Sequence, residues 1–420
     1  MAKAAHKKLL LSELQPGMRV KLPLSWTNHP FLFNRVDINS AAQIEMIRGL
    51  GVPYVYLISG SNDEIDTAEE EEDIEDIEAA PPERDLKADT RKSMRLSQKR
   101  FLESVNQCRN MYGKIVSDPE GAYRLSAALV EDLLSHLQEV EKPFLTLVGM
   151  DEKDVSVTQH GVSVAVLAMM IGHALDLPAR DLRDIALGSL FHDIGKLKVP
   201  DVIRRKRGAL TPHEANYLQM HPNFGYDMLN RSGLFPKEVL NIVLHHHEFV
   251  DGSGFPDGLT GHKIPIVTQI VSLANDYDQQ LSGQQASSPQ VALGYLFKNR
   301  ASKHSESLIS VLVKILGIYP PGTLVKLSDD SVAKVIMTTK EVSQPQVWAC
   351  KEDGSEASLR FLSDEGVTVQ KSLRVEDLTE GARRTLQVDK GISFILVPYK
   401  LESLYQSSVC YWPKYMISSK

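Results

Sequence analysis

Cysteine is scarce in this 420-residue chain: Cys108, Cys350 and Cys410 stand far apart, odd in number and without a CxxC pair. That excludes a disulfide framework and the usual thiolate zinc site, and suits a reducing compartment. Long apolar runs are also missing. No stretch approaches the roughly 20 apolar residues of a membrane-spanning helix, and the opening MAKAAHKKLLLSEL has too short an apolar run for a signal peptide. The expectation is a cytoplasmic protein with no membrane span. Positive charge is not in excess either, with 54 acidic residues against 47 basic ones. No global field draws in nucleic-acid phosphates, so DNA is not an expected partner.

What is present reads as several domains. Residues 1–60 hold short apolar runs, RVKLPL and VPYVYLI, around one helical stretch, INSAAQIEMIRGLG, with Gly51 placed to stop it. Residues 61–84, beginning SNDEIDTAEEEEDIEDIEAAPPE, have too few large apolar side chains to offset ordering entropy and read as a disordered acidic linker. Residues 85–145 turn helical, with apolar residues recurring at three and four in FLESVNQCRNMYGKIV and LSAALVEDLLSHLQEV. Helical periodicity continues over 146–317, and short β-rich runs such as QVWACKE and GISFILVPY occupy 318–420. The fold class is mainly α: a helical bundle with a small N-terminal α+β domain and a small C-terminal β-rich segment.

Histidine carries the chemistry of the helical part. His160 lies in a periodic helix, His192 and Asp193 where an apolar helix breaks at Gly195, His221 before Pro222, and His246 and His247 at the end of another helix. Taken singly, each suits a helix end or a surface, and His6, His29, His136, His173, His213, His262 and His304 belong to that background. Jointly, five imidazoles and a carboxylate on separate helix ends point to a di-metal cage in a bundle core. Neighbouring helical side chains diverge by about 100°, so His192 and Asp193 meet at one site only near a helix end. Imidazole mixed with carboxylate favours iron or manganese over thiolate-type zinc, while imidazole also suits zinc, copper and nickel. In the run HHHE at 245–248, His245 reads as a helix-face neighbour of the pair that follows.

HDIGK at 192–196, PDVIRRKRGALTPHE at 200–214, MHPNFGYDML at 220–229 and HHEFVDGSGFPDGL at 246–259 resemble, in order, the motifs of the HD-GYP branch of HD metal-dependent phosphohydrolases. LQPGMRVKLPLSWTNHPF and GVPYVYL resemble the N-terminal domain of one branch of that family. The resemblance implies hydrolysis of cyclic di-GMP to pGpG, and in some members to GMP, by two divalent ions. It implies that Asp193 bridges them, that His160 and His192 serve one, and that His221, His246 and His247 serve the other. It implies that Lys196 faces the scissile phosphate, that Lys206 joins it in substrate binding, and that Gly254 and Phe255 shape the site. Phe255 stands where the family usually has Tyr, and Gly252 shares its turn. Partners implied are cyclic di-GMP, diguanylate-cyclase-domain proteins docking on the GFP loop, and a second copy of the chain in a homodimer.

Departures from the pattern favour weakened chemistry. Asn275 occupies a ligand position that is usually Asp, so one ion should be held less firmly. Asp276 turns away from it, and Asp278 shares its face one turn on. Ser156 replaces the Glu of three-metal members, Ser163 replaces an Arg, and LSGQQASSPQ lacks an expected Arg-x-Tyr. A cyclic di-GMP phosphodiesterase is the expectation, and a weakened binding or signalling module the alternative.

Overall fold

The structure is a computed structural model. It describes residues 8–21, 35–38, 44, 47–48, 52–59, 86–138, 144–150, 156–206, 208–282, 288–339, 341–388 and 391–397. The acidic linker at 61–84 and Gly51 lie outside them. Two compact units divide the chain, Met1–Pro82 and Glu83–Lys420.

In the first unit, β1 (Lys8–Leu10), β2 (Arg19–Lys21), β3 (Arg35–Asp37) and β4 (Tyr54–Ser59) form an antiparallel sheet in the order β1-β4-β2-β3. Alternation puts Leu9 and Val20 inside between exposed neighbours. They pack with Ile38, Ile44, Ile47 and Val55 in one apolar cluster.

The second unit opens with α1 (Leu86–Lys114) and α2 (Pro119–Gln138). Asp118 caps α2 by accepting the Gly121 amide at 2.9 Å, and Pro119 starts the helix without needing a donor. Then come β5 (Phe144–Met150), α3 (Val157–Ala174), α4 (Ala179–Phe191), α5 (Asp201–Arg204), α6 (Pro212–Leu218), α7 (His221–Asn230), α8 (Lys237–His245), α9 (Ile266–Ser282), α10 (Pro289–Asn299) and α11 (Glu306–Leu316). Ser156 caps α3, its hydroxyl accepting the Gln159 amide at 3.2 Å. By length and composition α3 could cross a membrane, but 83% of it is buried within the protein. It is the bundle's central helix, packed against α1, α4, α9 and α11, and beyond its polar first turns the run VAVLAMMI is apolar on every face, as such a position selects.

The last part adds β6 (Leu324–Leu327), β7 (Val332–Met337), β8 (Gln346–Cys350), β9 (Ser358–Phe361), β10 (Val369–Leu373) and β11 (Gly391–Val397). Their sheet also takes in β5, which lies across the expected 145/146 boundary. β5 pairs with β11 along its whole length, from Phe144 opposite Val397 to Met150 opposite Gly391. It meets β7 at Thr146 and Met337. A strand between α2 and α3 and one behind the last bundle helix thus share a seven-stranded sheet.

Candidate metal centre

Four helix termini deliver the site. α4 ends at Phe191, the chain passes through His192 and Asp193, and a 3-10 turn follows over Ile194–Lys198. The break lets two consecutive side chains face one point. Gly195 permits it: a Cβ there would sit 1.9 Å from the His221 carbonyl oxygen. Only a residue without a side chain lets this turn approach the first turn of α7 so closely.

The histidines are aimed by one repeated device. Nδ1 of His192 donates to the Ser189 carbonyl at 2.7 Å, Nδ1 of His221 to Leu218 at 2.7 Å, and Nδ1 of His246 to Val243 at 2.9 Å. Each partner is the carbonyl three residues back, in the last turn of α4, α6 or α8, where carbonyls have no partner within the helix. A carbonyl can only accept, so the proton sits on Nδ1 and each Nε2 offers a lone pair inward.

Those lone pairs converge on Asp193. Its Oδ1 lies 3.2 Å from His221 Nε2 and 3.8 Å from His246 Nε2. Its Oδ2 lies 3.4 Å from His192 Nε2 and 3.7 Å from His160 Nε2. Two donor groups result, Asp193 with His221, His246 and His247, and Asp193 with His160 and His192. His247 joins the first through close ring contacts, tilted against His246 with centroids 4.2 Å apart and edge-on to His221 at 5.0 Å. On the other side, Asn275 Oδ1 stands 3.0 Å from His160 Nε2. Lys196 Nζ touches Asp193 Oδ2 at 2.6 Å.

Burial decides the charges. It pushes His192, His246 and His247 down, keeping them neutral with lone pairs free, and the neighbouring imidazoles push His246 and His247 further. Burial works against ionised Asp193, yet the Lys196 ammonium and the surrounding rings outweigh it and hold the carboxyl well below the usual range. His192 Nε2 and Asp193 Oδ1 are buried and lack any hydrogen-bond partner. Buried lone pairs without donors are costly. An anionic carboxylate among imidazoles whose lone pairs face inward is the donor set of a divalent cation, so these residues fit a metal.

The cleft over the cluster has a volume of about 510 Å³, lined among others by His160, Asp193, Lys196, His247, Phe255 and Gln279. Phe255 stacks on the His247 ring at 4.6 Å and 21°. Gly254 does not line the cleft; a Cβ there would meet the His247 carbonyl oxygen and the Glu248 Cα at 2.5 Å, so it lets the loop fold back on the histidine pair. Lys206 is likewise absent from the lining. The capping box of α6 holds Glu214 beside it, and its ammonium pairs with that carboxylate at 2.6 Å. His245 turns away to Asp257, at 3.0 Å.

Three residues that sequence reasoning did not enlist support the site. Asp278 accepts from His160 Nδ1 at 2.6 Å and from Ser163 Oγ at 2.6 Å. Burial lowers the His160 pKa, but this bond and its charge raise it further, to a net increase. Buried Glu248 accepts the amides of Asp257 and Leu259 at 2.7 and 2.9 Å, fixing the loop that carries Phe255. Gln279 donates to Asn275 Oδ1 at 3.0 Å. The signals were slight: a carboxylate straight after the histidine pair, and polar residues one turn beyond Asn275. His304, grouped above with surface histidines, is buried on Asp276 at 2.9 Å.

Residues 129–308 match the HD domain family, and residues 6–125 match DUF3391, a domain of unknown function. Over 210 residues the chain is 30% identical to a cyclic di-GMP phosphodiesterase of Pseudomonas aeruginosa, covering 50% of this chain and 51% of that protein. Over 217 residues it is 30% identical to the cyclic di-GMP phosphodiesterase response regulator RpfG of Xanthomonas campestris, covering 50% and 57%. The chain thus spans about half the length of the curated relatives it matches. Among solved structures, an HDG"Y"P protein from Bdellovibrio bacteriovorus aligns at 17% identity and TM-score 0.43, over 74% of this chain and 99% of that one. By these matches, residues 129–308 of this chain carry the HD domain, joined in one chain to a DUF3391 domain over residues 6–125.

Proposed function

We propose that this protein is a metal-dependent phosphodiesterase that opens cyclic di-GMP to pGpG, with or without onward cleavage to GMP, within a domain spanning 146–317. The observation that carries the reading is the division of Asp193: one oxygen faces His221 and His246, the other His160 and His192. In this reading Asp193 would serve two divalent ions, iron or manganese; His160 and His192 with Asn275 would hold one, and His221, His246 and His247 the other. Two such ions supply an activated water and charge stabilisation for in-line displacement at phosphorus.

The chain's own residues do the rest. The Nδ1 bonds to helix-end carbonyls hold the imidazoles in the metal-binding tautomer without further reorganisation. Lys196, at the cleft wall and one-fifth exposed, is free to swing its flexible stem from Asp193 to a phosphate oxygen and steady the charge that develops there. Phe255 presents a ring without a hydroxyl beside His247, giving the cleft an apolar wall. A cleft of about 510 Å³ lies within the ~300–1,000 Å³ of small-molecule sites. The named activity of the relatives supports this substrate. With the reading go a cytoplasmic location and docking of cyclase-domain proteins on the loop at 251–257, whose Asp251, Ser253 and Asp257 are exposed.

Asn275 favours the competing reading of a weakened binding module, because a neutral amide replaces a charged ligand. One experiment separates the two. Metal analysis of the purified protein is followed by chromatography of cyclic di-GMP incubated with it under reducing conditions, with iron or manganese. The expected product is pGpG, with or without GMP, lost in His192→Ala and Asp193→Ala. Two bound ions with neither product would leave only the binding module.

A further inference from the structure

Asn275 poses a problem that a carboxylate in its place would not. A primary amide presents either an oxygen lone pair or an N–H to the group it faces, and a cation accepts only the first. Here Oδ1 faces His160 Nε2 at 3.0 Å. The other ring nitrogen is bonded to Asp278 at 2.6 Å, and that carboxylate keeps a proton on Nδ1. Oδ1 and Nε2 can therefore share their contact only through a positive charge between them, a proton or a metal ion. Without one, the amide gains a hydrogen bond by rotating its NH₂ toward the ring, and the oxygen leaves the site.

Gln279 opposes that rotation. It lies four residues on, on the same face of α9, is half-buried at the cleft wall, and donates from Nε2 to Asn275 Oδ1 at 3.0 Å. In the orientation Gln279 holds, a rotated Asn275 would turn N–H against N–H, so the rotation would require both amides to turn over together. We propose that Gln279 is a positioning residue for a divalent cation: its N–H fixes the Asn275 amide with the oxygen turned toward His160, so that a neutral side chain serves where a carboxylate, with oxygen at both ends, would need no such help. This rests on the metal-binding part of the reading above.

The test is calorimetric titration of Mn²⁺ into the full, chelator-stripped chain, for wild type, Gln279→Met, Asn275→Asp and the double variant. Methionine keeps the length of the side chain and removes the donor; Gln279→Ala repeats the loss of the donor without added bulk. Loss of a ligand's outer partner typically weakens metal binding by about 10- to 100-fold. That loss is expected at one of two Mn²⁺ sites in Gln279→Met and in Gln279→Ala, with thermal unfolding of the metal-free proteins unchanged. In the Asn275→Asp background, Gln279→Met should leave both affinities as they were. Wild-type affinity in Gln279→Met, an equal loss in both backgrounds, or a wild type that takes up only one ion would each overturn the proposal. The titration contains no nucleotide. A chain that shows this metal pattern yet cleaves no cyclic di-GMP counts against the phosphodiesterase reading alone.

Discussion

A methyl group on Gly195 would lie 1.9 Å from the carbonyl oxygen of His221 and 2.5 Å from the amide nitrogen of Gly225. Both are backbone atoms, so neither can rotate away as a side chain would. Reaching even 3.0 Å from the oxygen, the limit below which real Cβ contacts are essentially never found, requires a separation of about 1 Å. The two parts forced apart are the 3-10 turn that follows Asp193 and the first turn of α7, which begins with His221. Their meeting point is the 3.2 Å contact between Asp193 Oδ1 and His221 Nε2. Overpacking of this kind costs about 1–3 kcal/mol, a drop of roughly 2–4 °C in Tm per kcal/mol for a large domain. The effect on chemistry is larger, because misplacing a group by about 1 Å can cost about 10²-fold in rate. Gly195→Ala should therefore stay folded, melt a few degrees lower without metal, and lose about two orders of magnitude in cyclic di-GMP hydrolysis together with Mn²⁺ affinity. Differential scanning fluorimetry, Mn²⁺ titration and chromatography of the products measure the three. A Gly195→Ala protein that binds Mn²⁺ and turns over as wild type does would refute the claim that this close approach aligns the site.

Asp278→Ala should weaken Mn²⁺ binding on the His160 side by about 10- to 100-fold, since His160 loses the carboxylate that fixes its ring; unchanged affinity in the same titration would show that Asp278 only packs. Burial pushes the Cys108 thiol up to about 12, so at pH 8 peptide mapping after iodoacetamide should find Cys108 unmodified in the folded protein and modified after denaturation. Modification without denaturation contradicts the burial argument. The Lys206 ammonium and then the Thr211 amide and hydroxyl lower the Glu214 carboxyl to about 2, from 4.5 when unpaired. A depressed carboxyl stabilises the folded form above its unfolded pKa and loses that effect as pH falls through its folded value. Glu214→Gln should accordingly speed hydrogen exchange in α6 at pH 7, and the gap from wild type should close between about pH 4.5 and pH 2. A gap that widens on acidification would show the sign to be wrong.

The parts of the site legible in the sequence are those encoded locally. Apolar periodicity marks where helices run, and His-Asp or His-His at their ends marks where polar side chains turn inward. Asp193 and the five imidazoles are brought together in the structure for this reason. What stayed hidden depends on partners distant in the chain. FLTLVGM is a credible strand, but nothing near it names β11, more than 240 residues on, as its neighbour. Asp278 was passed over because it stands a turn beyond Asn275. Residues three apart on a helix are separated by about 4.5 Å along its axis, and an imidazole has nitrogens on two sides. His160 bridges that rise, with Nε2 toward Asn275 and Nδ1 on Asp278. Two residues of α9 therefore serve one ring.

The run His245-His246-His247 shows how three identical residues acquire three environments from one helix end. His245 is the last residue of α8, and its ring still follows the helix face outward to Asp257. His246 is the cap, buried, with Nδ1 held by the Val243 carbonyl that the ending helix leaves unpaired. His247 lies beyond the helix, and among the described residues no such carbonyl pairs with its ring. Its orientation comes instead from the Phe255 ring stacked on it at 4.6 Å, on a loop that Gly254 lets approach and Glu248 ties down. The glycine-rich turn after the histidines thus does for His247 what helix-end carbonyls do for His192, His221 and His246. Phe255 supplies that stacking face with a ring that carries no hydroxyl, so the loop orients His247 by ring contact and not by a hydrogen bond from position 255.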